Sequence, residues 1–287
     1  MFPILEKTDI APGIGRFVVE APLVASKLEA GNFVIVRVNE TGERIPLTAV
    51  EWDRQRGTLV LIVQSVGKTT RLMNLLQTGD AVADLAGPLG NSIEMRNYGT
   101  VVVVGGGVGT AEVLPIAREL KRAGNTVIGI IGARTRELVL LENEMLAICD
   151  GVMVITDDGS YGGHGLVTDA MKALRASGTE MDIVFAIGPL PMMKALADTT
   201  RDWNLKVFAS LNPVMIDGTG MCGGCRVQVG NETKFTCMEG PMFDAHQVDF
   251  EVLLLRSRAY REKELEALER LERELAQECK ATPPPAG

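Results

Sequence analysis

TVVVVGGGVGTAEVLPIAREL, residues 100 to 120, decides how this 287-residue chain is read. An apolar run without polar alternation enters a turn containing Gly105, Gly107 and Gly109, and a helical pattern follows. A strand apolar on both faces must be covered on both faces, as in a parallel sheet between helices. Glycines there let backbone amides and the positive helix end approach a pyrophosphate with no Cβ in the way. Thr110 stands where the last glycine of a G-x-G-x-x-G fingerprint would fall. A tight turn without a ligand is the alternative.

Downstream, NTVIGIIGAR, ELVLLENEML, GVMVITDD, TDAMKALRAS and DIVFAIGP continue the alternation of strand and helix, predicting a doubly wound parallel-sheet α/β domain over 98–210. Arg134 and Arg136, rather than an acid, end its second strand. An arginine there accepts a 2'-phosphate or stacks on adenine, so the residues leave NAD and NADP open. Asp157 and Asp158 end a later strand where a ribose would sit, although an exposed turn explains them nearly as well.

Upstream, residues 1–97 read as an antiparallel β barrel, from the segments IGRFVVEA, NFVIVRV, RIPLTAVEWD, GTLVLIVQSV and DAVADLAG. One helix, TTRLMNLLQTGD, interrupts them, with a threonine cap at its start and Gly79 as its stop. The preceding SVGKTT resembles the tail of a Walker A loop, but Ile62 occupies the place of the first glycine, so an ATPase is rejected. A glycine, Gly67, two hydroxyls, Thr69 and Thr70, and a helix N-terminus remain, a set suited to a diphosphate or to simple capping. In GERIPLTAV, Arg44, Pro46 and Thr48 fall at the presumed rim of a barrel strand.

The segment 211–250 holds three of the five cysteines. Asp217, Cys222, Cys225 and Cys237 reproduce C-x4-C-x2-C plant-type iron–sulfur spacing, with aspartate in the first seat. A zinc site of three thiolates and a carboxylate is the competing reading; two nucleotide-type sites nearby favour the electron carrier. Residues 251–287 read as a long charged helix, with leucines at 265, 268, 271 and 275 as a stripe for a partner, and a frayed tail, ATPPPAG. Cys149 and Cys279 have no ligand partner at useful spacing. His164 and His246 are the only histidines, which argues against a Ser-His or metal-His hydrolase.

Hydrophobic residues make up 46% and charged residues 23% of the chain, with a net charge of -8. No apolar run is long enough for a membrane span, the opening MFPILEKTDI has no secretion pattern, and the acidic balance disfavours nucleic acid. The expectation is a cytoplasmic protein with no membrane insertion.

The stretches ERIPLT, GGGVGTAE, GARTRELV, TDDGSYG, GPLPMM, SLNPVMIDGTGMCGGCRV and FDAHQVDF together resemble electron-transfer subunits of the dihydroorotate dehydrogenase and NADH-dependent ferredoxin:NADP oxidoreductase type, within the ferredoxin-NADP reductase superfamily. That resemblance implies an FAD-binding barrel with Arg44, Leu47 and Thr48 against the flavin and Gly67, Thr69 and Thr70 on its diphosphate. It also implies NAD(H) on Gly105, Gly107 and Gly109, with Asp157 and the Gly188-Pro189 loop near its ribose or nicotinamide, and NADP(H) not excluded. A [2Fe-2S] centre would be held by Asp217, Cys222, Cys225 and Cys237. The superfamily pattern would place arginine at 45 and an aromatic residue at 47, where this chain has Ile45 and Leu47. The implied activity is oxidoreduction: hydride exchange with FAD, then single electrons to a larger subunit carrying flavin and [4Fe-4S] centres, in a heterodimer or higher heteromer, with ferredoxin as a further partner. A glutamate-synthase-like subunit, a dihydroorotate dehydrogenase catalytic subunit and a hydrogenase compete as that partner. A reading from another class is a zinc-stabilised nucleotide-binding regulatory subunit without turnover.

Overall fold

The computed structural model describes residues 1–281; the tail 282–287 and the side chain of Cys279 lie outside the described residues. Seven strands, β1 (Phe2–Ala11), β2 (Ile14–Glu20), β3 (Phe33–Arg37), β4 (Arg44–Asp53), β5 (Thr58–Gln64), β6 (Ala81–Val82) and β7 (Asp84–Leu89), form one antiparallel sheet. Their order is β6-β1-β2-β5-β4-β3-β7. The two outermost strands are halves of one segment, 81–89, separated only by Ala83, so the sheet curls into a nearly closed barrel. Strand β1 was absent from the sequence expectation. In FPILEKTDIA only Ile4 is buried, so the apolar alternation that marks a strand is too weak to read.

Strand β4 divides its pairing. Residues 44–48 pair with β3, Thr48 opposite Phe33, while 49–53 pair with β5. The first half therefore has one neighbour, and Pro46, which cannot donate to a ladder, lies in that half. A gap opens between it and the end of β5, and the helix Lys68–Leu75 follows that end. The helix differs from expectation at both ends. Its N-cap is Gly67, not a threonine: the Thr70 hydroxyl reaches back to accept from the amides of Val66 and Gly67, each at 3.0 Å. It stops at Leu75, where Leu76 turns extended, well before Gly79.

The second sheet contains β8 (Thr100–Gly106), β9 (Thr126–Ala133), β10 (Gly151–Thr156), β11 (Gly163–His164), β12 (Ile183–Ile187) and β13 (Lys206–Ser210), all parallel. Its order is β11-β10-β9-β8-β12-β13, with a last strand antiparallel to β13. That strand, Met242–Asp244, comes from the far side of the cysteine segment. In β8, Val101 and Val103 pack under the helix Gly109–Arg122, while Val102 and Val104 pack against Val167–Ala176 and Leu190–Thr200. Two covered faces explain the unbroken valines. The core around Gly109–Arg122 also takes in Ile14, Val50 and Ile62 of the barrel, so this helix lies between the two sheets.

Within the cysteine segment, β14 (Arg226–Val229) and β15 (Glu232–Phe235) form a hairpin turning at Gly230, whose φ is +58°. The expected single C-terminal helix is two: Phe250–Ser257, capped by Asp249 accepting from Val252 N at 3.0 Å, and Arg261–Ala281. The break reflects two anchors. Phe250 and Leu253 are buried in the α/β core, whereas Leu271 is buried and Glu272 meets Arg71 of the barrel helix at 2.9 Å. The leucine stripe thus spends Leu271 inside the chain. Among the described residues, no helix is long and apolar enough to cross a membrane.

Candidate functional site

The glycine turn lies at the carboxyl end of β8, next to the end of β12. Between these strands the order of the sheet reverses, and in open α/β sheets that is where ligands bind. A Cβ on Gly105 would collide with Thr110, and one on Gly109 with the Ile187 carbonyl, so packing alone demands both glycines. Gly107 differs. Its φ is +57° and nothing lies within 4 Å of where its Cβ would be, leaving open space over the turn. Thr110 is buried, and its hydroxyl has no partner. Buried polar atoms normally have one, so this orphan fits a missing ligand. Gly188 faces Gly106 across the crevice, with Met192 beneath both. Pro189 precedes the helix Leu190–Thr200, Asp157 is exposed at the end of β10, and Arg134 is exposed beyond β9.

On β4 the two-residue period of a strand separates the expected flavin contacts. Leu47 packs on the barrel core with Ala49, whereas Val50, of Thr48's parity, packs outward toward the helix Gly109–Arg122. Leu47 therefore does not share a face with Arg44 and Thr48. The Thr48 hydroxyl donates to Glu112 Oε2 at 2.9 Å, joining the barrel to the first turn of that helix. Burial raises the Glu112 carboxyl, a rise the hydrogen bond from Thr48 opposes. Sequence reasoning had missed Glu112, because an acid in a first helical turn reads as ordinary dipole pairing. Across the gap, Thr69 donates to Glu43 Oε2 at 2.7 Å, while Gly67 has open space around its Cα. Thr70 spends its hydroxyl on shaping the turn. The first-turn amides, which have no partner inside a helix, and the absence of acid in that turn suit an anion.

The hairpin explains the cysteine spacing. Arg226 pairs with Phe235, and Thr236 N donates to Cys225 O at 3.1 Å, so the two flanking cysteines return to one point. Their sulfurs are 3.2 Å apart, and both residues are only 1% exposed. They pack on Phe33 and Ile35 of β3. Burial, then the neighbouring Cys225, push the Cys237 thiol up to about 12. Cys222 is exposed and its sulfur accepts from Gly224 N at 3.4 Å. Asp217 accepts from the amides of Thr219, at 3.1 Å, and Cys222, at 2.8 Å. Burial alone would raise its carboxyl, but these amides hold it below the usual range. Of the four donors, the Cys225 and Cys237 sulfurs touch, while the Asp217 carboxylate is tied to the backbone amide of Cys222. No three His, Cys, Asp or Glu side chains among the described residues converge as a single-ion site. Cys149 stands apart, its thiol pushed up to about 11 mainly by burial.

Residues 212–249 match the family model for the iron–sulfur cluster binding domain of dihydroorotate dehydrogenase B. A Thermotoga maritima protein named as a homolog of the dihydroorotate dehydrogenase B (NAD(+)) electron transfer subunit is 44% identical over 267 residues, 93% of this chain and 94% of that protein. The chain belongs to the dihydroorotate dehydrogenase B electron-transfer-subunit family. A family member from Geobacillus thermodenitrificans is 34% identical over 254 residues, covering 85% of this chain and 96% of its own. Among solved structures, a chain from work on flavin-based electron bifurcation in NADH-dependent reduced ferredoxin-NADP oxidoreductase aligns with a TM-score of 0.90 and 42% identity, over 94% of this chain and 98% of that one. Phthalate dioxygenase reductase shares the fold, with a TM-score of 0.57 and 19% identity over 79% of this chain and 85% of its own. For this family member the barrel, the α/β sheet and the cysteine segment are therefore the expected parts of one electron-transfer subunit.

Proposed function

We propose that this subunit passes electrons between NAD(H), FAD and a [2Fe-2S] centre and delivers them to a larger redox subunit. The observation that carries this is the contiguity of three sites. Cys225 and Cys237 pack on Phe33; Phe33 is the cross-strand partner of Thr48; Thr48 bonds Glu112, on the helix that begins at the glycine turn. A zinc-stabilised regulatory subunit would need no such adjacency.

When bound, FAD exchanges a hydride with the nicotinamide and releases single electrons, which the iron–sulfur centre carries onward. The chain's own residues hold and insulate these groups. Asp217, Cys222, Cys225 and Cys237 would hold the [2Fe-2S] centre, with the Cys225 and Cys237 sulfurs already 3.2 Å apart. Two buried thiols must lose their protons to ligate, so assembly of the centre releases acid. The Gly67 turn and first-turn amides of Lys68–Leu75 would hold the FAD diphosphate, with Arg44 and Thr48 on the flavin side of the gap. Gly107 and Thr110 would meet the dinucleotide pyrophosphate, and Gly188-Pro189 its nicotinamide half. The partner is a larger subunit with its own flavin or iron–sulfur chemistry, and the free thiols suit a reducing compartment such as the cytoplasm.

The test is the visible spectrum of anaerobically purified protein, with iron and zinc analysis, before and after NADH. Flavin bands and about two irons per chain, bleaching on NADH, support the proposal. Zinc without flavin or iron overturns it.

A further inference from the structure

Only Gly223 and Gly224 stand between Cys222 and Cys225, and the carbonyl of each accepts from an arginine. Arg226 Nη1 donates to Gly223 O and Arg256 Nη2 to Gly224 O, both at 3.0 Å. Both peptide groups are trans, so an oxygen held on one side sends the amide that follows to the other. The Gly224 amide does this, donating to Cys222 Sγ at 3.4 Å. By the same geometry the Gly224 carbonyl, held by Arg256, turns the Cys225 amide away from the guanidinium.

The two arginines reach the knuckle by different routes. Arg226 follows Cys225 directly and is exposed, whereas half-buried Arg256 comes from 32 residues beyond Gly224, on the helix Phe250–Ser257. That helix is fixed to the hairpin: Asp249 N donates to Gln228 O at 2.9 Å and Gly230 N to Gln247 O at 2.7 Å, while Phe250 and Leu253 are buried. Among the described residues neither guanidinium pairs with a carboxylate, although Lys234 pairs with Glu232 at 2.6 Å and with Glu239 at 3.1 Å. Two cations therefore stand uncompensated beside the cysteine knuckle.

Resting on the reading of this segment as an iron–sulfur site, we propose that Arg226 and Arg256 are positioning residues that raise the reduction potential of its centre. Asp217, Cys222, Cys225 and Cys237 are all anionic when they ligate, so an added electron enters a site that is already negative. A fixed positive charge favours the reduced form, and amides aimed at sulfur do the same. Each arginine supplies the charge directly and the amide through the peptide that it holds. Arginine also keeps its charge at every working pH. The centre thus takes electrons more readily than its four ligands alone would allow.

The experiment is a redox titration of the anaerobically purified holo-subunit, following the reduced-cluster paramagnetic resonance signal, with iron per chain measured alongside. It compares wild type, Arg226→Gln, Arg256→Gln, the double glutamine variant and Arg256→Lys. Glutamine keeps an N–H for the carbonyl and removes the charge; lysine keeps the charge. With about two irons per chain retained, the double variant should titrate about 59 mV lower, a tenfold change in a one-electron equilibrium. Arg256→Gln should give the larger share, because exposed Arg226 is screened more, and Arg256→Lys should stay near wild type. Unchanged potentials in the glutamine variants at full iron overturn the proposal, as does a fall in Arg256→Lys as deep as that in Arg256→Gln. If the double variant holds no iron, the single variants decide by the same criteria, and loss of iron from both would make the arginines clamps and overturn it too. A wild type that binds no iron would instead sink the reading of the segment as a cluster site.

Discussion

The glycine turn at Gly105–Gly109 and the cysteine segment at 217–237 both gather chemistry into a loop, but only one is finished by the polypeptide itself. The glycine turn is shaped by packing: Gly105 and Gly109 have no room for a Cβ, and only Gly107 opens outward. The cysteine segment is brought together by a hairpin, yet it leaves two thiols in contact, one of them pushed up to about 12, and a carboxylate borrowing amides from its own loop. Neutral donors can sit there, but the ligating charged forms need cations. A nucleotide site can be built in advance because its ligand is read by backbone; a cluster site waits for its metal.

The largest expected effect comes from the unfinished region. Cys237→Ala should reduce iron from about two per chain to almost none, measured by elemental analysis, while flavin content stays near wild type because the barrel gap lies on separate residues. Retained iron would break the comparison. Next is the finished region. Gly109→Ala drives a Cβ into the Ile187 carbonyl and should cost about 1–3 kcal/mol in denaturant unfolding, as overpacking does, with dinucleotide affinity lost as well. If only affinity changes, the glycine serves the ligand and not the packing.

The smallest effect concerns Glu112, which ties the two sheets. Because burial raises its folded-state carboxyl, the folded chain holds this proton more tightly than the unfolded chain does. Its ionisation therefore removes stability as pH climbs from the ordinary carboxylate value through the raised one. Glu112→Gln should match wild type at about pH 4 and exceed it in Tm at about pH 8, where wild type carries a half-buried charge between the two sheets. A difference independent of pH would show that the hydrogen bond to Thr48, and not the charge, is what matters.

The regular half of this molecule was legible because burial on both faces leaves a direct mark: VVVV, VIGII and IVFAI have no polar alternation to interrupt them. The cysteine spacing was legible for a covalent reason, since a two-residue knuckle and a hairpin return fix where sulfurs can go. Strand β1 was not, because only Ile4 of its ten residues is buried, which leaves no apolar alternation to read. The face of Leu47 was hidden until the register of β4 was known, as one residue of strand reverses a side chain. Least visible were contacts between distant parts. Thr48 and Glu112 are 64 residues apart, and no local pattern marks either for the other. Asp157 and Asp158 read as strand-end residues beside a ribose or as an exposed turn, and their lacing to the loop after β9 comes from parallel pairing of strands β9 and β10, which no local pattern marks.

On the proposed function, the cysteine pair, Phe33 and Thr48 bring the iron–sulfur centre and the flavin within electron-transfer reach in this one chain. Low-temperature electron paramagnetic resonance of the anaerobic holo-protein during NADH titration tests it directly. A reduced-cluster signal is expected to grow as the flavin absorbance bleaches, without any partner subunit present. A flavin that bleaches fully while the iron stays silent would contradict it.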